Sequence, residues 1–134
     1  MCGIWAVFGS GQDVSKLYHN AEKIAHRGPD SFRIENINHF KNCCLAFHRL
    51  AIMDDVFGEQ PLRIRSHPHI WVLYNGEIYN YRTVQKQFDF EYQTECDGEA
   101  IIHLYAQGGV EYAASMLDGV FAFCLLDTAE KKGT

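Results

Sequence analysis

The sequence lacks most of the signals that would take it out of the ordinary globular class. It has no excess of base: 12 Lys and Arg against 17 Asp and Glu leave a formal net charge of −5. The basic residues are scattered, with Lys131-Lys132 the lone adjacent pair. No nucleic-acid partner is therefore expected, because such partners require a clustered basic face. No stretch approaches the ~18 apolar residues that cross a bilayer, so no membrane partner is expected either. A secretory leader would need a basic start and an apolar run of roughly 7–15 residues. Here Met1-Cys2 passes at once into Gly3-Ile4-Trp5-Ala6-Val7-Phe8, which has neither. Cysteine rather than glycine at position two excludes N-myristoylation. A cytosolic location is the expectation by default.

Paired cysteines are lacking too. Cys2, Cys43, Cys44, Cys96 and Cys124 are odd in number, two are adjacent, and no C-x-x-C occurs. That pattern suits reduced thiols and not a disulfide framework. Cys43, Cys44 and Cys124 lie in apolar, strand-like runs and read as small buried hydrophobes. Cys2 differs, since it sits at the chain end where a strand begins. The histidines have no cysteine-rich spacing around them, so no zinc site is expected. His67-Pro68-His69 reads as an exposed loop.

What is present fits one domain of 134 residues, 47% hydrophobic and 22% charged. Gly3 to Phe8 reads as a buried strand. Leu17, Ala21, Ile24 and Ala25 share one helical face, with Lys16, Asn20 and Lys23 opposite. This predicts a helix from about Val14 to Ala25, stopped by Gly28-Pro29. Phe32 to Glu35, Asn42 to Leu50 and Ile70 to Tyr74 read as strands, with a turn at Asn36 and Asn38. Asn75-Gly76 is expected to break the strand before it, and a short helix should cover Tyr81 to Phe88. Asp97 is a good N-cap for a helix to Gln107, ended by Gly108-Gly109. Val110 to Met116 follows as another helix, and Val120 to Leu126 as a strongly apolar last strand. The mixed order, without strict βαβ alternation, predicts an α+β fold with helices over a largely antiparallel sheet or pair of sheets. An apolar strand with only Lys131-Lys132-Gly133-Thr134 close behind would leave an edge uncovered, which suggests a fragment.

Several residues could carry chemistry. If Met1 is removed, the new α-amino group has a pKa of about 7.7–8.0, so part of it is neutral at physiological pH. It could then act as the base for the Cys2 thiol, as in N-terminal-nucleophile enzymes. The alternative is a small residue that merely opens a strand. Asn75-Gly76 could supply a side-chain amide and a backbone N–H to one oxygen, the equipment of an oxyanion hole. The same pair is also the commonest hairpin turn. Arg49 could grip a carboxylate at two points, and Glu77 and Asp97 could hold an ammonium. Taken singly, each is more often a surface charge or a cap. His26-Arg27-Gly28-Pro29-Asp30 is a polar turn after a helix.

Taken in order, Met1-Cys2-Gly3-Ile4, His26-Arg27-Gly28-Pro29-Asp30, His48-Arg49-Leu50, Asn75-Gly76-Glu77-Ile78-Tyr79-Asn80 and Asp97-Gly98-Glu99 resemble the class II glutamine amidotransferases. Within that group they are similar to the asparagine synthetase family, in its animal form. Phe57-Gly58-Glu59-Gln60-Pro61 and Leu117 to Phe123 extend the resemblance over nearly the whole chain. It implies an N-terminal-nucleophile hydrolase fold, a four-layer α/β/β/α sandwich, incomplete here at the carboxyl end. It implies that Cys2 attacks the carboxamide carbon of glutamine and that Asn75 and Gly76 form the oxyanion hole. Arg49 would bind the α-carboxylate, while Glu77 and Asp97 hold the α-ammonium. Main-chain groups of Leu50, Ala51, Ile52 and Met53 would line the glutamine site.

The resemblance further implies that residues 1–134 are part of a glutaminase domain needing no cofactor. A larger synthetase domain, absent here, would use ATP and Mg²⁺ to amidate aspartate, and the longer family members would form homodimers. Two alternatives stand beside it. One is a non-catalytic fragment or binding module. The other is a class II amidotransferase with a sugar-phosphate or nucleotide-precursor acceptor, against which Glu77 to Asn80 and Pro29-Asp30 speak.

Overall fold

A computed structural model describes residues 2–37, 43–50 and 59–134. Its strands form two antiparallel sheets. The first holds β1 (Gly3–Val7), β3 (Cys43–Arg49) and β2 (Ser31–Ile37), in that spatial order. The central strand must be covered on both faces, and its sequence suits this: Cys43 through His48 are all buried. Leu45 and Phe47 point to one side and His48 to the other. The second sheet holds β4 (Leu62–Ile64), β5 (His67–Ile78), β6 (Gly119–Asp127) and β7 (Lys132–Gly133), also in that order.

The sheets face each other and a helical layer covers each outer face. Between them Leu45, Phe47 and Leu73 form a cluster joined by Cys2, Ile4, Trp71 and Cys124. Ile37, Cys43 and Leu126 extend it. α1 (Val14–Glu22) starts at Asp13, whose side chain accepts the Ser15 N–H at 3.4 Å, a normal N-cap role. It buries Leu17 and Ala21 on the first sheet. There His48 Nε2 donates to the Ala21 carbonyl at 2.8 Å, so this buried imidazole ties helix to strand. α2 (Tyr81–Phe88) and α3 (Glu99–Met116) cover the other side, with Ile101 and Ile102 packed on Ile70, Val72, Tyr74 and Leu125. The result is four layers, helix, sheet, sheet, helix.

Several expectations need correction. α1 ends at Glu22, and a single 3₁₀ turn (Ala25–Arg27) follows. Asn36 lies inside β2 and pairs with Cys44, so it makes no turn; Asn38 lies outside the described residues. His67-Pro68-His69 opens β5 and is not a loop. The strand expected at Ile70 to Tyr74 runs on to Ile78 through Asn75-Gly76, which pair with Ala122 and Phe121. β4 was not foreseen. The helices expected on either side of Gly108-Gly109 are both present within α3, and they part where expected: Gly109, at φ 86° and ψ −177°, breaks the helical backbone between them. The last apolar strand, β6, is not left unpaired on its outer side, because β7 pairs with it at Leu126 and Asp127.

Leu73 joins the layers at their centre and is 0% exposed. Leu73→Ala should lower the unfolding free energy by about 3 kcal/mol, the usual cost of a buried Leu deletion that leaves a cavity. Urea denaturation with an unchanged m-value would confirm this. A loss under ~1 kcal/mol would mean the sheets collapse onto the gap.

Candidate active site

The site begins with a close approach of two backbones. At Gly76, φ is 138°, and a Cβ there would lie 2.0 Å from the Val120 carbonyl oxygen. No side chain fits, so residue 76 must be glycine for β5 to stay paired with β6. Staying paired keeps the strand's alternation. Leu73 faces the first sheet, in the cluster that includes Cys2, and Asn75, two residues on, shares that face. Tyr74 and Ile78 face the opposite way, toward α3.

A cleft of about 830 Å³ opens at this point. Its lining includes Cys2, Arg49, Leu50, Asn75, Gly76, Glu77 and Asp97, so seven of the candidates named from the sequence come together. Ala51, Ile52 and Met53 lie outside the described residues. Cys2 is half-buried at the start of β1. Its Sγ accepts the Leu50 N–H at 3.5 Å, which fixes the sulfur against the end of β3. β1 and β3 pair in register from Gly3 with His48 to Val7 with Cys44, which carries the start of β1 to the end of β3. Nearby, Asp30 N–H donates to the Arg49 carbonyl at 3.0 Å, so the 26–30 turn braces the main chain of Arg49.

Asp97 does something other than cap a helix. The residue at the N-cap of α3 is Gly98, with no side-chain cap bond. The Asp97 carboxylate instead takes the Tyr74 hydroxyl on Oδ1 and the Ile78 N–H on Oδ2, each at 2.7 Å. Sequence reasoning did not single out Tyr74, Gln60, Tyr81 or Glu95, which also line the cleft. Gln60 is buried, and its amide mimics a neighbouring strand: Oε1 accepts the Tyr74 N–H at 2.6 Å and Nε2 donates to the Tyr74 carbonyl at 3.0 Å. Its place in the Glu59-Gln60-Pro61 run was the available signal. Asn80, the last residue of the Asn75 to Asn80 run, serves the fold. It donates to the Met116 carbonyl and accepts the Asp118 N–H, both at 2.9 Å, pinning the end of β5 to the start of β6. Among the described residues no group of His, Cys, Asp and Glu could hold a metal ion, and no helix is long and apolar enough to cross a membrane.

The whole chain, residues 1–134, matches the family described as the glutamine amidotransferase domain, and it belongs to that family. The relatives it resembles are more particular. It is 61% identical to the asparagine synthetase (glutamine-hydrolyzing) of Gallus gallus and 60% identical to that of Homo sapiens, over 132 residues in each case. These alignments take in 98% of this chain and 24% of each relative, so the chain spans about a quarter of their length. Among solved structures, the glutamine phosphoribosylpyrophosphate amidotransferase of B. subtilis, complexed with ADP and GMP, superposes with a TM-score of 0.74 at 19% identity. That match covers 96% of this chain and 35% of the other. At such identity the likeness is one of fold, and it agrees with the four-layer α/β/β/α arrangement expected from the sequence.

Behind Asp97 stands Glu99, which is 0% exposed. Its Oε1 accepts the Gln93 N–H at 2.6 Å; Oε2 accepts the Thr94 N–H at 2.8 Å and the Thr94 hydroxyl at 2.6 Å. His103 Nε2 lies 3.3 Å from Oε1. Burial pushes this carboxyl up, but the hydrogen bonds from His103, Thr94 and Gln93 outweigh it and hold it below its ordinary value of 4.5. A depressed folded-state value means stability that is present above pH 4.5 and lost as pH falls through the folded value. Glu99→Gln should cost about 2 kcal/mol at pH 7, or roughly 6–10 °C in Tm. The gap between variant and parent should close as a series of thermal melts descends below pH 4.5. A gap independent of pH would show that the charge on Glu99 is not what holds the loop.

Proposed function

We propose that this chain hydrolyses glutamine to glutamate and ammonia, as the glutaminase part of an asparagine synthetase. The observation that carries the reading is the single cleft that gathers Cys2, Arg49, Asn75, Gly76, Glu77 and Asp97 from separate strands and loops. Removal of Met1 would leave the α-amino group of Cys2 beside its own thiol, to take the thiol proton. The sulfur then attacks the carboxamide carbon, and the resulting oxyanion is held by the Asn75 side-chain amide and the Gly76 N–H. The proton carried by the α-amino group passes to the leaving nitrogen, ammonia departs, and a thioester remains. Water adds to the thioester through the same oxyanion site and releases glutamate. Arg49 binds the substrate α-carboxylate, Glu77 and Asp97 its α-ammonium, and Leu50 lines the pocket.

The acceptor of the ammonia lies in the remainder of the longer relatives, where aspartate amidation would use ATP and Mg²⁺. No step in this cleft is routed through either. A cytosolic setting, homodimers of the longer protein, and no nucleic-acid or membrane partner complete the reading.

The test is release of glutamate and ammonia from glutamine by the purified chain, tagged only at its carboxyl end so that Cys2 stays free. Cys2→Ala should abolish release while leaving the fold intact; activity retained in that variant would sink the nucleophile assignment. Asn75→Ala should lower kcat by about 10²–10³, the usual cost of one oxyanion donor. If kcat held and only KM rose, Asn75 would be a binding residue instead. A chain that begins at Cys2, folds well and turns over nothing would favour the alternative of a non-catalytic fragment.

A further inference from the structure

Asp97 is anchored to β5 on both sides of the segment that carries Asn75 and Gly76. Tyr74 precedes that segment and bonds one carboxylate oxygen; Ile78 follows it and bonds the other. A carboxylate held through one oxygen can still turn about its side-chain torsion. Held through both, its plane is fixed, and with about four lone-pair sites it keeps capacity for a further donor. The Tyr74 ring is itself locked: a Cβ on Gly98 would lie 2.3 Å from it, and Gln60 holds both main-chain groups of Tyr74. Burial first, then Cys96 and Asp97, push the Tyr74 phenol well above its ordinary range, so it stays protonated and donates. The Cys96 sulfur lies 3.0 Å from the same hydroxyl.

We infer that Tyr74 is a positioning residue for substrate recognition: its hydroxyl, with the Ile78 N–H, fixes the Asp97 carboxylate in the orientation that receives the α-ammonium of an amino-acid substrate. This rests on the reading of the cleft as a glutamine site. It assigns part of the selection of an α-amino acid over the corresponding deaminated acid to a residue that acts through Asp97.

The test compares two ligands of the unprocessed and processed chain alike, L-glutamate and glutarate, which has the same two carboxylates and no α-ammonium. Calorimetric titration should show a preference for glutamate in the parent chain and a much smaller one, left to Glu77, in Asp97→Asn. Tyr74→Phe keeps the ring contact with Gly98 and should lose about tenfold of the preference, with glutarate binding unchanged within about twofold, as for a hydrogen bond to a charged group. A Tyr74→Phe chain that weakens both ligands equally, or keeps the full preference, overturns the inference while leaving the glutamine-site reading intact. A preference undiminished in Asp97→Asn removes the ammonium assignment of Asp97 and the inference with it. Binding of neither ligand by the parent chain overturns the site reading itself. The unaltered chain supplies a second measurement should Tyr74→Phe fail to fold: the Ile78 amide resonance should move with glutamate and stay with glutarate. Equal movement with both would refute the coupling.

Discussion

Two backbones lie closer at Gly76 than any side chain permits, and the candidate site depends on that approach. A Cβ at Gly76 would sit 2.0 Å from the Val120 carbonyl oxygen, and one at Gly119 would sit 2.1 Å from the Glu77 carbonyl oxygen. With both positions bare, β5 and β6 pair from Ile70 with Asp127 to Ile78 with Gly119 without a break. An unbroken strand keeps its period of two. One strand therefore serves two faces at once. Leu73 and Asn75 look toward the first sheet and Cys2, while Tyr74 and Ile78 look toward α3 and Asp97. A side chain at residue 76 would separate these two sets, because it would force a bulge or a register shift between them.

Much of the architecture was legible, and the exceptions have physical causes. α2 falls on Tyr81–Phe88 as expected, and β1, β3 and β6 lie within a residue or two of the bounds read from apolar runs. Asn75-Gly76 misled because the turn preference of such pairs reflects a glycine at positive φ. Gly76 does have positive φ, but it is there to let β6 approach and not to reverse the chain. β4 spans only three residues and β7 two, too short for any alternation to register. His67 and His69 look like loop residues by composition, yet lie in β5 because β4 runs antiparallel beside that strand, with Ile64 paired to His67.

The site residues were legible as a set and much less so as roles. Cys2, Arg49, Asn75, Glu77 and Asp97 share one cleft, as the motif order implied. Asp97 read locally as an N-cap, since an aspartate before an apolar periodic run normally is one. Two donors 2.7 Å away, on a strand some twenty residues earlier, compete for the same carboxylate, and no window of local sequence reveals them. Tyr74 and Gln60 escaped notice for the same reason. Their partners are distant in the chain, and a tyrosine inside an apolar strand reads as core.

Asp97 sits on an irregular stretch between strand and helix, where a catalytic cleft ordinarily finds its least certain parts. Here that stretch is fixed before any ligand arrives. Glu99 holds the main chain at Gln93 and Thr94, the Thr94 hydroxyl accepts the Cys96 N–H at 3.2 Å, and Tyr74 and Ile78 hold the Asp97 side chain. On the proposed reading, an ammonium bound there would order little that was not already ordered, so its interaction energy would not be spent on immobilising a loop. The anchors also lie on the strand that carries Asn75 and Gly76. Any shift of that strand that displaced Asn75 and Gly76 would at the same time turn Asp97. In the proposed reaction both ends of the substrate would thus be located from one rigid element, β5, which favours holding the reacting carbon close to the sulfur.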